Sequence, residues 1–298
     1  MTVERKLWFQ IALQIKGSVI LAIYKRVIGC GLFGIFVSIL YNFKLSVSQP
    51  ILESVIPSIV LGLLLVFRTN TAYERFWEGR KCWGSIVNNV RNLARQIWVS
   101  IDEISAEDRK NKIAALYLLV AFAVATKLHL RGELITNELE ELIPDSKYRN
   151  LENMNNPPLE LAFWIGDYLQ QQHNHKCLHI YQLIAMQELL NNLVDNLGSC
   201  ERILKTPIPL AYAIHLKQLL LLYCYLLPFQ LVESLGWWTG LIVALISFTL
   251  FGIEAIGLEI ENPFGYDAND LPLDAICNTM KRNIDDLITL SPSIGLYN

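Results

Sequence analysis

The sequence predicts an all-α membrane protein with four transmembrane helices and a helical region on the cytosolic side. Apolar residues make up 53% of its 298 residues and charged residues only 18%, with a mean hydropathy of +0.33. Soluble domains are about 45 to 50% apolar and about 25% charged. The apolar excess needs burial in lipid or in subunit contacts, and four long apolar stretches account for it.

The four predicted membrane helices differ in how well they match the thickness of a bilayer. A lone helix needs about 20 apolar residues to cross a hydrocarbon core of about 30 Å, and only the last stretch clearly exceeds that length. We therefore expect helices that are shielded by neighbours or by an oligomer. The predicted helices cover residues 20–43, 51–67, 212–232 and 235–258.

Basic residues predict the orientation of these helices. They lie before or near the start of the first and third helices and follow the second, while the turn before the fourth carries none. Because cytoplasmic loops carry an excess of Lys and Arg, we expect both termini and the long middle region in the cytoplasm, with the protein in the inner (plasma) membrane. The flanking basic residues are Lys16, Lys25, Arg26, Arg68, Arg75, Arg80, Lys81, Arg202, Lys205 and Lys217.

The cysteines and the N-terminus agree with a cytoplasmic setting. The chain has six cysteines without any Cys-x-x-Cys spacing, a pattern typical of free thiols in a reducing compartment. The N-terminal residues lack an early apolar core and a small-residue cleavage site, so we expect no removable signal peptide. The net charge of −3 gives no reason to expect a nucleic-acid partner.

The second apolar stretch passes directly into a polar helical segment that begins at Arg68. A charge near the bilayer centre costs at least roughly 2.5 to 3.5 kcal/mol, so Arg68 marks a membrane boundary. Within the apolar part, Ile56, Val60 and Leu64 recur every four residues and share one helix face. Such a face packs a bundle core or lines a hydrophobic pore constriction, and the spacing alone leaves both interpretations open.

The middle region, residues 70–210, has a helical pattern almost throughout. The apolar run at residues 113–125 is too short to span a membrane comfortably and is interpreted as a buried helix of the cytosolic part. Residues 155–158 (NNPP) predict a loop. An amphipathic helix follows, with Leu161 and Ile165 on its apolar face together with Trp164 and Tyr168.

Several residues inside the apolar stretches are unusual there. Glu53 and Glu254 are carboxylates that either contact a water-filled path or pair within the bundle. Pro57 and Pro228 can each kink a helix and free a backbone carbonyl.

Catalytic motifs are not apparent. The sequence has neither a Gly-rich phosphate loop nor a Gly-x-Ser-x-Gly elbow, so we expect no enzyme. His173, His175 and His179 form the densest group of potential metal ligands. On a helix His175 and His179 share a face, which leaves a solvated helix surface or a metal site as alternatives.

An acidic turn follows the fourth apolar stretch. Gly265 permits a tight turn, and Asp267, Asn269 and Asp270 place three oxygen-bearing side chains close together. Hard cations such as calcium require oxygen ligands. An acidic turn without metal is the alternative interpretation.

Three motifs in the same order resemble the bestrophin family, in particular its bacterial members. The resemblance covers nearly the whole chain and implies one channel domain over residues 1–298, assembled as a homopentamer around a single axial pore. It implies passive transport of small monovalent ions, chiefly chloride, across the lipid bilayer. The motifs are RTNTAYERFWEGRKCWG (68–84), CER (200–202) with TPIP (206–209), and NPFG (262–265) followed by DLPLD (270–274).

The resemblance also implies roles for particular residues. Ile56, Val60 and Leu64 are similar in position to the three residues of the pore neck, and Ile208 to a second narrowing, the cytosolic aperture. Asp267 and Asp270 look like the side-chain ligands of a calcium clasp, although neighbouring acids of that clasp are replaced here. A monovalent cation channel of the same family and a membrane-anchored helical interaction protein are the alternative functions.

Overall fold

The structure, a computed structural model, describes residue 10 and residues 13–49 and 54–290. Within these residues all regular elements are helices, which confirms the predicted fold class. Gly236–Trp238 form a short 3-10 helix. The α-helices are α1 (Ile20–Asn42), α2 (Ile56–Ser100), α3 (Ala106–Arg131), α4 (Asn137–Glu140), α5 (Asp145–Leu151), α6 (Pro157–Asn174), α7 (Ile180–Lys205), α8 (Leu210–Leu235), α9 (Thr239–Glu259) and α10 (Leu273–Thr289).

The described chain divides into two compact units. The first unit comprises the residues up to Phe76 together with Pro207–Asp270, and the second comprises Trp77–Thr206 together with the residues from Leu271 onward. The first unit therefore holds α1, α8, α9 and the part of α2 up to Phe76. The remaining helices and the part of α2 from Trp77 onward belong to the second unit.

In the first unit, α1 and α9 pack very closely through small residues. A side chain at Gly34 would place its Cβ 2.9 Å from the Cα of Gly240, closer than real Cβ atoms come to a backbone atom. Small residues at such crossings let helix backbones approach in membranes, where van der Waals packing replaces the hydrophobic effect between helices. Leu61 and Leu65 of α2 pack into the same core, with Leu216 and Leu220 of α8.

Four stretches are long and apolar enough to cross a membrane, namely α1, α2, α3 and the continuous stretch of α8 and α9. The most apolar part of α3 is 78% buried within the chain, whereas the corresponding parts of the other three are 22 to 33% buried. Burial thus identifies α3 as a core helix, as the sequence predicts, although its 26 residues are longer than expected. The stretch of α8 and α9 breaks at Gly236, which has a positive φ of 54°, and so consists of two helices that are each long enough to cross a bilayer.

Helix α2 runs for 45 residues and passes Arg68 without interruption, as predicted. Residues 51–53, and with them Glu53, lie outside the described residues. The prediction that Pro57 kinks a span is wrong, because α2 begins at Ile56 and Pro57 occupies its first turn. A first-turn N–H has no partner within its helix, so proline is tolerated there. Pro228 lies inside α8, as predicted.

In the second unit, capping residues set the ends of the helices. Ser105 and Asp108 form a capping box at the start of α3, and Gly132 ends that helix in the left-handed conformation. Asn156 caps α6 through its side chain, which confirms the helix after the predicted loop, but the loop is shorter than predicted because Pro157 and Pro158 already form the first turn of α6. Leu161 and Ile165 are buried on that helix, also as predicted.

The histidine cluster is not helical throughout, which corrects the prediction. Helix α6 ends at Asn174, Lys176 adopts a positive φ of 64°, and His179 caps the next helix. His175 and His179 therefore do not share a helix face. Within the described ranges, no group of three or more His, Cys, Asp or Glu side chains is close enough to hold a metal ion.

Candidate functional site

The first turns of α2 carry the residues that the sequence assigns to a pore neck. In the single chain, Ile56 is 68% exposed and Val60 is 45% exposed, while Leu64 is partly buried against the core of the first unit. The residues of α2 that enter the core are instead Leu61 and Leu65. Ile56 and Val60 therefore take no part in the buried core of their own chain.

Other large apolar residues of the same segment are also exposed, among them Ile59, Leu63 and Phe67. Leu63 and Phe67 share the face of Ile56, because residues seven and eleven positions apart return to the same side of a helix, whereas Ile59 and the exposed Val66 lie to one side of that face. The exposed apolar surface of this segment is thus broad enough to meet lipid, another subunit or a pore. The assignment of Ile56, Val60 and Leu64 to the neck stays a prediction.

Two polar contacts hold this segment against α8. The hydroxyl of Tyr212 donates to the carbonyl oxygen of Leu64 at 2.6 Å, and the hydroxyls of Ser58 and Tyr223 lie 3.1 Å apart. Hydrogen bonds between helices within an apolar slab fix their rotation, since the polar groups have few other partners there. The neighbours of the predicted neck are thereby fixed in place.

Glu261 joins three segments at the polar end of the first unit. Its Oε2 accepts from Arg68 Nη2 at 2.5 Å, and its Oε1 accepts from the backbone N–H of Ile208 at 2.9 Å. Its backbone carbonyl accepts from Arg75 Nε at 3.2 Å. The predicted aperture residue Ile208 is thus attached through Glu261 to α2 at Arg68, which is itself only 3% exposed.

Sequence reasoning did not assign this role to Glu261. The signal available was an acid directly after the last apolar stretch and a base directly after the second, two positions that reach the same membrane boundary in a bundle. A buried cation requires a counter-charge, and Glu261 is the residue that provides it.

Glu254 lies inside α9 and is buried. Its carboxylate lies 3.7 Å from Arg26 Nη1 on α1. Of the two alternatives for this carboxylate, pairing within the bundle is therefore the one that the structure supports.

The acidic turn is held by its own residues. Asp270 Oδ2 accepts from the backbone N–H of Asp267 at 2.8 Å, and Asn269 Nδ2 donates to Glu259 Oε1 at 2.9 Å. A Cβ at Gly265 would come within 2.7 Å of Asp270 Oδ2, so glycine is required for this close approach. The Asp270 carboxylate thus binds the backbone of Asp267 through one of its oxygens, and the assignment of the two carboxylates to one calcium site stays a prediction.

Lys127, a buried lysine in the second unit, forms ion pairs with two carboxylates. Lys127 Nζ donates to Glu138 Oε2 at 2.6 Å and to Asp274 Oδ1 at 2.8 Å. Arg131 binds both oxygens of Asp274 at 3.0 and 3.2 Å. The Arg131 hydrogen bonds, followed by those of Lys127, lower the pKa of Asp274 to about 2 against the effect of burial. These contacts attach α10, at the DLPLD motif, to α3.

The CER motif forms a second polar cluster in this unit. Glu201 Oε1 lies 2.7 Å from His129 Nε2 and accepts from Asn156 Nδ2 at 3.0 Å. Burial raises the pKa of Glu201, but hydrogen bonds from Lys205 and His129 outweigh it and lower the pKa overall. Glu201 therefore joins α7 to the end of α3 and to the start of α6.

Comparison with known proteins identifies the family. Residues 1–286 match the family described as Bacterial/Fungal Bestrophin protein. A voltage-dependent anion channel-forming protein of Nostoc sp. is 78% identical over 294 residues, which cover 99% of this chain and 96% of that protein. One of Synechocystis sp. is 60% identical over 287 residues, which cover 96% and 94%.

A solved structure agrees with this match. The crystal structure of a bacterial bestrophin homologue from Klebsiella pneumoniae has a TM-score of 0.83 and 31% identity, covering 91% of this chain and 100% of that chain. The sequence motifs, the helical fold with its apolar spans and the match over nearly the whole length agree. The chain belongs to the bacterial and fungal bestrophin family, a family of membrane channel proteins, and is not an enzyme.

Proposed function

We propose that the protein is a homopentameric channel for the passive transport of small monovalent anions, chiefly chloride, across the inner membrane. The observation that carries the proposal is the 78% identity, over 99% of this chain, to a relative named as a voltage-dependent anion channel-forming protein. A monovalent cation channel of the same architecture is the competing function. A membrane-anchored interaction protein is the competitor from another class.

The exposed apolar surface of the first unit supports assembly. Large apolar side chains on all four of its long helices are exposed in the single chain. Lipid covers part of this surface, and neighbouring subunits of a closed ring cover more. Five-fold symmetry would place five copies of one α2 face around a common axis, which a single chain cannot do.

The neck would act as an apolar barrier. Five copies each of Ile56, Val60 and Leu64 would form rings that water leaves readily, and an ion crossing them loses hydration without gaining polar ligands. Apolar rings of this kind do not select between anions and cations. Ile208, placed by Glu261 at the other end of α2's apolar part, would form the cytosolic aperture.

The orientation follows from the basic residues and from two aromatic ones. Trp237 and Trp238 are exposed in the short turn between α8 and α9, and tryptophans favour the interface between lipid and water. With the Lys- and Arg-rich ends in the cytoplasm, this turn would lie on the outer side. A cysteine introduced at Trp238 should then react with an impermeant maleimide added outside intact cells.

Calcium binding at Asp267 and Asp270 is a separate proposal. Calcium takes six to eight oxygen ligands, and the acidic turn offers these two carboxylates, one of which already accepts the N–H of Asp267. A bound ion would have to share that carboxylate with the backbone. The proposed conduction pathway does not depend on it.

Currents through purified protein in planar bilayers test the main proposal. In asymmetric KCl, an anion channel gives a reversal potential near the chloride equilibrium potential, and a cation channel gives the opposite sign. Protein that inserts as a pentamer but carries no current would favour the interaction protein.

A further inference from the structure

A groove in the second unit lies between α2 and the first half of α10. Its volume is about 480 Å³, within the range of about 300 to 1,000 Å³ that is typical of ligand sites. None of the residues assigned to the pore neck, the aperture or the acidic turn lines it. Its lining residues are Arg80, Gly84, Val87, Asn88, Arg91, Ala275, Ile276 and Thr279.

The charge of the groove is positive. Arg80 and Arg91 are the charged residues of its lining, and both are exposed. Within the described part of the chain, neither arginine has a hydrogen bond or an ion pair. Arg282 adds a third positive charge beside the groove, because its Nη2 donates to Thr279 Oγ1 at 3.2 Å.

The acids on the same two helices do not balance this charge. In the second unit α2 carries one acid, Glu78, and its Oε1 accepts from Arg202 Nη2 at 2.9 Å. On α10, Asp274 is held by the two bases described above, and Asp285 accepts from a tyrosine hydroxyl at 2.9 Å. Asp286, the last acid of α10, does not line the groove.

Gly84 lets the side chain of Arg80 lie along the groove. A Cβ at Gly84 would be 3.4 Å from Arg80 Nη1, so the guanidinium of Arg80 lies about one helical turn beyond its own Cα, in the direction of Arg91. Side chains on a helix lean toward its N-terminus, and we therefore expect the guanidinium of Arg91 to extend back toward Gly84. The two guanidiniums thus approach the same stretch of the groove, beside Asn88.

The remaining lining of the groove is partly apolar. Val87 of α2 and Ile276 of α10 are partly exposed, and Ala275 is exposed. Ligand sites combine such apolar walls with a few polar groups that fix the orientation of the ligand. The groove therefore offers contacts to an apolar body beside an anionic group.

We propose that this groove binds a small soluble organic phosphate, a phosphate monoester with an apolar body. The planar fork of an arginine donates two parallel hydrogen bonds to phosphate oxygens, and the three terminal oxygens of a monoester can accept from Arg80 and Arg91 at once. The apolar body lies against Val87 and Ile276. The site goes beyond the proposed channel function and does not depend on the sign of the conducted ion.

Isothermal titration of the full-length protein in nanodiscs of zwitterionic lipid tests the proposal with phenyl phosphate as the probe. Inorganic phosphate has the charge without the apolar body, and phenol has the body without the charge. A buffer that contains KCl keeps chloride in competition throughout, and the heat of binding does not depend on whether the channel conducts.

We expect saturable binding of phenyl phosphate at millimolar concentrations or below, weaker binding of inorganic phosphate and no saturable binding of phenol. Equal binding of phenol and phenyl phosphate, or no saturable heat with phenyl phosphate, would overturn the proposal.

Two double variants test the arginines. Arg80→Gln with Arg91→Gln should weaken the binding of phenyl phosphate by roughly tenfold or more, because charge-assisted hydrogen bonds to the phosphate are lost. Lys81→Gln with Lys110→Gln removes the same amount of positive charge from exposed residues that do not line the groove. This control should bind like wild type, and an equal loss of affinity in both double variants would contradict a specific site.

A change of charge at constant shape places the binding in the groove. Asn88→Asp introduces a negative charge among the lining residues without altering the size of the side chain, and it should abolish binding by repulsion. Asn92→Asp, at an exposed position of the same helix outside the groove, is the matched control. Thermal unfolding shows that each variant folds. Unchanged affinity in folded Asn88→Asp protein would show that phenyl phosphate binds elsewhere and would overturn the assignment.

Discussion

The buried guanidinium of Arg68 binds the carboxylate of Glu261, with Nη2 and Oε2 2.5 Å apart, and the other oxygen of that carboxylate accepts the N–H of Ile208. One acid thus neutralises the first charge after the second apolar stretch and holds the loop predicted to form the aperture. Polarisation along such a chain of hydrogen bonds strengthens each of them in a low-dielectric setting.

Removing this carboxylate should destabilise the protein. Glu261→Ala leaves the Arg68 cation buried without its partner, and breaking a buried ion pair costs about 3 to 5 kcal/mol. Thermal unfolding of purified protein should show a clear decrease in Tm. Glu261→Gln keeps an acceptor for the N–H of Ile208, so its Tm should decrease less than that of Glu261→Ala. The control is Glu74→Ala, an exposed acid on α2, and a similar loss of stability in that control would refute the role of the pair.

Assembly into a pentamer is tested by mass. Light scattering in detergent, with the detergent contribution subtracted, should give a protein mass near five times 34.0 kDa, because the apolar surfaces of the first unit would be shared in a closed ring. A monomer or dimer that still conducts ions would contradict this expectation.

The membrane architecture was predictable because it depends on local composition. The long apolar helices α1, α8 and α9, the uninterrupted α2 and the interpretation of α3 as buried all follow from where apolar runs stop and charges start. Helix ends were less predictable. The capping box of Ser105 and Asp108 starts α3 well before its apolar run, and Lys176 with its positive φ turns the chain between His175 and His179.

The candidate site was predictable only in part. Spacing places Ile56, Val60 and Leu64 on one face, but the pore axis belongs to the assembly, and one chain does not contain it. The role of Glu261 depends on a tertiary contact with Arg68, which lies 193 positions away in sequence. A buried Arg68 needs an acidic partner, but no local sequence pattern identifies which acid that is.

Asp274 should contribute stability that depends on pH. Its folded pKa is about 2, below its ordinary value of 3.8, chiefly because of Arg131. A carboxyl with a lowered pKa stabilises the fold above its ordinary pKa, and this contribution is lost as pH falls from about 4 toward 2.

Asp274→Asn measures this contribution. Since partly exposed ion pairs contribute up to about 1 kcal/mol, the variant should lower Tm at neutral pH by on the order of 2 to 4 °C. The difference from wild type should shrink near pH 3. Asp286→Asn, an exposed acid on the same helix, should have little effect at either pH. A difference in Tm that stays constant with pH would contradict the linkage.

Calcium binding to the acidic turn is tested by calorimetric titration of wild-type protein. Asp267→Ala should abolish any heat of binding by removing a carboxylate ligand. Asp270→Ala should do the same and also lower stability, because the N–H of Asp267 loses its acceptor. If the wild type shows no heat of binding at millimolar calcium, the proposal that the turn binds calcium is wrong. In that event Asp270 keeps only its structural role.

The neck residues should control the barrier to conduction. If Ile56, Val60 and Leu64 face the axis, replacing all three with alanine widens the apolar rings and lowers the cost of ion dehydration. The triple variant should therefore raise open probability or conductance in planar bilayers while the pentamer still assembles. Ile56 and Val60 are exposed in the chain, so their truncation should cost little stability, whereas truncating the partly buried Leu64 should cost less than the about 2 to 5 kcal/mol of a fully buried leucine.

A matched variant on other faces of the same helix separates the pore from the rest of the surface. Ile59→Ala with Val66→Ala removes similar apolar volume from two exposed residues that lie roughly 110° around the helix from the centre of the face of Ile56, Val60 and Leu64, and it should leave single-channel conductance close to that of wild type. If this control raises the current and the triple variant does not, the axis lies on the face of Ile59 and Val66. If neither variant changes the current in well-assembled protein, the first turns of α2 contain no constriction, because shrinking an apolar ring that limits conduction must alter the dehydration barrier.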